Sequence, residues 1–191
     1  MGVVAAFIDG GYLDKITQLE GQRVEFRKLV SEMTERDELL RAYYYHCMPY
    51  QSDPPTAEER ERFANMDRFL AALRRVPRFE IRLGRLALRG RTADGQPIFV
   101  QKRVDSMVGV DMALLAGKGR ISNLALLSGD SDFIPAIEAV KREGVIVTLW
   151  HGRRTDRLIA PSRELFEICD ERRELTCSLL QRVARPAKHS P

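Results

Sequence analysis

Val3-Val4-Ala5-Ala6-Phe7-Ile8-Asp9-Gly10-Gly11 opens the chain as a branched apolar run that breaks on an aspartate and two glycines. An apolar run without alternation is the pattern of a strand buried on both faces of a parallel sheet. Residues 124–132, Leu-Ala-Leu-Leu-Ser-Gly-Asp-Ser-Asp, repeat that order of parts: buried run, glycine turn, acid. Residues 145–150, Val-Ile-Val-Thr-Leu-Trp, form a third such strand. Helical patterns separate these runs over residues 104–117 and 134–143, the latter closed by Gly144 as a C-cap. Strands alternating with helices mean βαβ units and a mostly parallel sheet.

A first helix starts near Tyr12 and a second covers residues 25–34. Residues 40–48, with Tyr43-Tyr44-Tyr45, read as the next strand. Asp53-Pro54-Pro55 marks a loop, and Thr56 with Glu59 has the spacing of a capping box. The helix it opens reaches residue 75 with Phe63, Met66, Phe69, Leu70 and Leu73 on one face. Residues 79–88 alternate as a half-buried strand, Asp94-Gly95 signals a turn, and residues 98–101 return as a second strand, which makes a basic β-hairpin insertion. Residues 163–183 read as one or two terminal helices, able to cover the sheet or to serve as a homodimer contact. The expected organisation is one domain over residues 1–160, a helical extension over 161–183 packed on it, and a frayed tail over 184–191.

Bulk properties exclude several classes. At 191 residues, 44% hydrophobic and 30% charged, the chain suits one soluble globular domain. No apolar run approaches the roughly 20 residues that span a bilayer, so no membrane association is expected. The opening run is too short for a secretory signal and lacks its basic start, which points to the cytoplasm. Cys47, Cys169 and Cys177 form no CxxC pair, and His46, His151 and His189 lack zinc-like spacing. The net charge is only +4, but its distribution is uneven. Arg74, Arg75, Arg78, Arg82, Arg85, Arg89 and Arg91 face a single acid, Glu80, in that stretch. Such a patch suits a polyanion, or equally a solvated edge hairpin.

In open parallel sheets ligands bind outside the carboxyl ends of the strands. Asp9 follows the first strand there, and Asp130 and Asp132 follow the strand ending at residue 127. A strand-end aspartate can simply cap the next helix, but two acidic strand ends weaken that reading. Lys102-Arg103-Val104-Asp105 leads into the helix whose apolar stripe runs Val104, Met107, Val108, Leu114 and Leu115. Asp111 interrupts that stripe and, if ionised among core positions, needs a cation: Arg, Lys or a metal. Asp105 shares a site with it only from the helix entrance, where it can also act as a cap. Asp9, Asp105, Asp111, Asp130 and Asp132 would form an all-oxygen cluster, which prefers Mg²⁺ or Mn²⁺. Such ions activate water and stabilise leaving oxygens in phosphodiester cleavage.

At Phe7-Ile8-Asp9-Gly10-Gly11-Tyr12-Leu13, at Lys102-Arg103-Val104-Asp105 with Asp111, and at Leu127-Ser128-Gly129-Asp130-Ser131-Asp132-Phe133, the chain resembles the NYN domain family, most closely its LabA-like branch, within the PIN-like nucleases. The likeness covers roughly residues 3–152. It implies an α/β fold with a doubly wound, Rossmann-like three-layer sheet of PIN type. It also implies a metal-dependent endoribonuclease with Asp9, Asp105, Asp111, Asp130 and Asp132 as acidic site, leaving 5′-phosphate and 3′-hydroxyl ends on single-stranded RNA. Gly10, Tyr12, Lys102 and Ser128 lie within the matching motifs and are expected near substrate. Tyr12 stands where many members carry Asn. Arg82, Arg85 and Arg89 of the hairpin would hold the RNA backbone. A non-catalytic RNA-binding regulatory module is the alternative. A haloacid-dehalogenase-like phosphatase fits less well, because its second aspartate would fall at Gly11.

Overall fold

The computed structural model describes residues 2–35, 37–92, 94 and 97–186. It is a mixed α/β fold. The elements run β1 (Val3–Asp9), α1 (Gly10–Leu19), α2 (Phe26–Met33), β2 (Glu38–Cys47), α3 (Ala57–Leu73), β3 (Phe79–Arg91), β4 (Pro97–Lys102), α4 (Val104–Gly117), β5 (Asn123–Leu127), α5 (Ile134–Arg142), β6 (Ile146–His151), α6 (Arg163–Ile168), β7 (Glu171–Glu174) and α7 (Cys177–Arg182), with a 3-10 turn at Ser131–Phe133 before α5.

The strands form one sheet in the order β4-β3-β2-β1-β5-β6-β7. Neighbours run parallel throughout, except that β4 returns antiparallel to β3. β1 lies in the middle, and its residues 4–8 are buried on both sides. Val4, Ala6 and Ile8 join Leu13, Ile16, Leu29, Leu70 and Leu180 on one face of the sheet. Ala5 and Phe7 join Val108, Met112, Leu126, Ile137 and Leu149 on the other. Burying each such Leu, Ile or Phe stabilises the fold by roughly 1.5–3 kcal/mol. The chain leaves β1 toward β2 and β3, then comes back to β5 on the opposite side. Between β1 and β5 the order therefore reverses, and that reversal opens a crevice at the carboxyl ends of the strands.

Local signals account for most element ends. Thr56 and Glu59 form the reciprocal capping box that starts α3. Gly144, at φ 78°, takes the left-handed conformation that ends the α5 region. The structure departs from the sequence reading in three places. β3 continues to Arg91 rather than ending at residue 88, and the turn expected at Asp94-Gly95 falls partly on Gly95, outside the described residues. Residues 163–183 are not wholly helical: between α6 and α7 lies β7, paired in parallel with β6. Its sequence, Glu-Arg-Arg-Glu, has no apolar alternation because it is an edge strand, where charges blunt further pairing. Lastly, Ala184 is not loose; it bridges to Val24 in an antiparallel contact. The rest of the expected tail, residues 187–191 with His189, lies outside the described residues. Among the described residues no helix is long and apolar enough to cross a membrane.

Candidate active site

Three separate elements bring carboxylates to the crevice. Asp9 ends β1 and also caps α1, its Oδ1 accepting the Tyr12 N–H at 3.1 Å. Ser128 follows β5 and is fully buried. Its hydroxyl donates to Asp9 Oδ2 at 3.2 Å and accepts the Asp130 N–H at 3.2 Å, so one side chain ties the two strand ends together. Asp130 Oδ1 in turn accepts the Asp132 N–H at 3.0 Å. Asp105 sits in the first turn of α4. Asp9, Asp105 and Asp130 line one open pocket of about 500 Å³, together with Gly11, Lys15 and Leu158.

The carboxylates disturb one another. Burial pushes Asp9 above the usual carboxylate range and the Asp130 charge adds to this, against the Tyr12 and Gly11 N–H groups and the Ser128 hydroxyl. Asp105 is also raised, first by burial and then by the charges of Asp130, Asp132 and Asp9. A bound cation would relieve both. The oxygen-only donor set suits a hard divalent ion. Among the described residues, no three His, Cys, Asp or Glu side chains stand close enough to enclose an ion. Mg²⁺ does not demand such a cage, since it keeps several waters and commonly takes only one or two carboxylates. The donors thus fit a largely hydrated ion and do not form a closed structural site.

The other residues singled out from sequence fall elsewhere. Asp132 is exposed and contributes charge rather than pocket wall. Asp111 does not join the pocket. It accepts a hydrogen bond from the Tyr45 hydroxyl at 2.8 Å and pairs with Arg82 Nε at 3.0 Å. Of the cations that could satisfy its position, Arg, Lys or a metal, the fold supplies an arginine. Arg82 is thereby engaged, with Glu80 at 2.7 Å on its other side and the Tyr43 ring beneath it, so it is not a free phosphate contact. Arg85, Arg89 and Lys102 are exposed, and Lys102 stands opposite Arg85 in the β3–β4 register, outside the pocket wall. Gly10 is buried; a Cβ there would lie 2.6 Å from both the Tyr44 and His46 rings. It serves close packing. Tyr43, Tyr44, Tyr45 and Trp150 are core residues. His46 bonds Asp14 at 2.9 Å, and buried His151 faces its neighbouring Gly152 carbonyl.

Tyr12 lines the pocket and has a structural task besides. It is buried, its hydroxyl donates to the Ile159 carbonyl at 2.5 Å and accepts the Gly152 N–H at 3.0 Å. A Cβ at Gly129 would approach its ring to 2.6 Å, so glycine there lets the β5 turn close over the tyrosine. Tyr12 thus pins both ends of a strap, residues 152–160, beside the pocket. That strap and Lys15 escaped the sequence reading. Leu158, 68% exposed, is the most exposed large apolar residue among those described and lies on the pocket wall. Arg153-Arg154-Thr155-Asp156-Arg157 follows the carboxyl end of β6, so the rule that located Asp9 and Asp130 could have drawn attention to it as well.

A family model of the NYN domain matches residues 3–171. The chain belongs to the NYN domain family. NYN domains are nuclease-like, which agrees with an acidic crevice at the switch between β1 and β5. This NYN chain is also similar to a protein of unknown function from Vibrio parahaemolyticus, known from its crystal structure, with a TM-score of 0.63 over 92% of this chain and 93% of that one at 19% identity. At that identity the likeness bears on the fold alone. Comparison with curated proteins gives no match.

Proposed function

We propose that this NYN domain is a metal-dependent endoribonuclease of the LabA-like, PIN-like type with a doubly wound sheet, acting on single-stranded RNA. The observation that carries the reading is the meeting of Asp9, Asp105 and Asp130, from three elements, around one open pocket that also holds Lys15. Capping accounts for Asp9 and Asp130 singly, but not for three carboxylates from three elements lining one pocket beside a lysine, a setting suited to a divalent ion together with a phosphate. One or two of Asp9, Asp105 and Asp130 would hold a largely hydrated Mg²⁺ or Mn²⁺, and the remaining carboxylates with Asp132 would add to the field. Such an ion supplies an activated water and charge stabilisation for the leaving oxygen, giving 5′-phosphate and 3′-hydroxyl ends. Lys15 neutralises a non-bridging phosphate oxygen, Ser128 fixes the Asp9 and Asp130 orientations, and Leu158 offers an apolar surface to a base. Arg85, Arg89 and Lys102, exposed along the β3–β4 pair, hold the backbone without reading sequence.

The test is cleavage of end-labelled RNA and DNA of one sequence in Mg²⁺, Mn²⁺ or EDTA, with Asp9→Asn and Asp130→Asn beside the wild type. Metal-dependent cutting of RNA that both variants lose is the expected result. A second reading, an RNA-binding module without turnover, is favoured by the absence, among the described residues, of three acidic side chains close enough to enclose an ion. RNA binding without cutting by any form would decide for it.

A further inference from the structure

On the far side of α1 from the acidic pocket lies a larger groove, about 1090 Å³, between α1 and α3. Gly11, Tyr12 and Lys15 of α1 face the pocket, whereas Leu13, Asp14 and Thr17 face the groove. Its floor is aromatic. Phe26, Tyr44 and Phe69 pack with ring centroids 5.3–5.8 Å apart, and Phe26 and Phe69 remain half-buried. Its rim is cationic: Arg23, Arg62, Arg68 and Arg185 line it. The acid on its wall, Asp14, is tied to His46 at 2.9 Å. α3 carries Glu58, Glu59, Glu61 and Asp67 too, but none of these lines the groove. Two of the three arginines of α3, Arg62 and Arg68, thus line the groove, and its acids do not.

Among the described residues the rim arginines are weakly engaged. Arg23 and Arg185 make no side-chain ion pair, Arg68 bonds only neutral Asn65, and Arg62 reaches the exposed Glu58 at 3.9 Å. A half-buried aromatic floor under weakly engaged guanidinium groups is the combination that takes single-stranded nucleic acid: rings stack on bases while cations follow the phosphates. A duplex would keep its bases from such a floor. An acidic peptide would satisfy the rim but make no use of the rings.

We propose that the groove between α1 and α3 binds a stretch of single-stranded nucleic acid that continues from the acidic pocket, a proposal resting on the reading of that pocket as nucleolytic. The strand would cross α1, about 10–12 Å wide, passing the exposed Lys15 on its way. The groove then sets affinity for long substrates and leaves the chemical step alone.

The experiment measures binding of a fluorescent single-stranded RNA to the full chain in EDTA, by anisotropy over a range of salt. The groove variant is Arg62→Glu with Arg68→Glu, on exposed positions of α3; the control, Arg74→Glu with Arg75→Glu, makes the same charge change outside the groove. Expected is at least a tenfold loss of affinity in the groove variant, a salt slope shallower by about 2, and a much smaller loss in the control. An abasic strand of equal charge binds wild type more weakly than the base-bearing one. Equal losses in both double variants, or an abasic strand or polyglutamate binding as tightly as RNA, overturns the proposal. Cleavage in Mn²⁺ separates this failure from that of the nuclease reading. Should wild type cut and Asp130→Asn not, while the groove variant keeps its KM on long RNA, the groove fails and the nuclease stands. Where no form cuts, the anisotropy result still decides the groove.

Discussion

Replacing Tyr12 by Phe removes a single oxygen and should release the strap beside the acidic pocket. The hydroxyl accepts the Gly152 N–H at 3.0 Å and donates to the Ile159 carbonyl, in a buried setting. Each orphaned buried group costs about 1–3 kcal/mol. Most of the strap between these anchors is exposed, so it can lift and return both groups to water, which caps the loss at roughly 2–4 kcal/mol. In a chain of this size 1 kcal/mol corresponds to about 2–4 °C, so Tm should fall by roughly 4–16 °C. Burial pushes the Tyr12 phenol up to about 12, so the effect should not vary across neutral pH. The assay is thermal unfolding by circular dichroism, with hydrogen exchange read at the Gly152 amide. A Tm within ~1 °C of wild type, with Gly152 still protected, would falsify the assignment of Tyr12 as the pin. The buried Ile159 side chain and the Ser162 N–H bond to the Gly129 carbonyl would then hold the strap without it.

Other perturbations test neighbouring parts of the argument. Asp111→Ala should cost about 2–3 kcal/mol in urea unfolding, because it strands the buried Tyr45 hydroxyl and frees a half-buried Arg82; an unchanged midpoint in EDTA would instead mean that the pair with Arg82 contributes nothing. Ser128→Ala deprives Asp9 of a donor and the Asp130 N–H of its acceptor, so the Asp9 carboxyl, followed by NMR titration, should move further upward; a downward move refutes the bridge. His46 gives a pH signature. Burial lowers its pKa, but the hydrogen bond and charge of Asp14 outweigh this and leave it raised. The stability its pair provides is therefore full below the unfolded value of ~6.5 and is lost as pH rises through the higher folded value. His46→Gln should accordingly cost more at pH ~5.5 than at pH ~9; equal costs at both would dismiss the ion pair.

What sequence could and could not show follows from how local each feature is. Asp9 and Asp130 are legible because each is written beside the strand that positions it, with a glycine turn alongside. The cation beside Asp111 is not, because Arg82 lies 29 residues away and reaches it only through the position of β3 under α4. Sequence demanded a positive partner there and could not say which. The charged edge strand β7 has no apolar alternation to read, and its pairing depends on lying at the end of the sheet beside β6. The rim of the second groove comes from Arg23, Arg62, Arg68 and Arg185, scattered over the chain, whereas the arginine run that sequence made conspicuous includes Arg82, spent on Asp111 and Glu80. A dense run of one charge is visible to a reader of sequence; a convergence of single charges is visible only in the fold.

The bland account of Asp9, that it is merely the N-cap of α1, and the functional one are not exclusive. A carboxylate has about four lone-pair sites, and Asp9 spends them on Tyr12 and Ser128 with capacity left over. What capping cannot explain is the company it keeps, since the charge of Asp130 raises both Asp9 and Asp105, and neither Asp130 nor Asp105 caps α1. Asp9→Asn separates the roles, because asparagine caps a helix about as well as aspartate and carries no charge. In EDTA the variant should unfold within about 1 kcal/mol of wild type, or above it, as one repelling charge is gone. Added Mn²⁺ at about 100 times its Kd should stabilise wild type by about 2.7 kcal/mol, and the variant by far less. Were Asp9→Asn instead to cost more than ~2 kcal/mol without metal, and wild type to gain nothing from Mn²⁺, the charge would be serving the cap and the Ser128 bridge alone. In that case the acidic pocket would be a by-product of how two strands end.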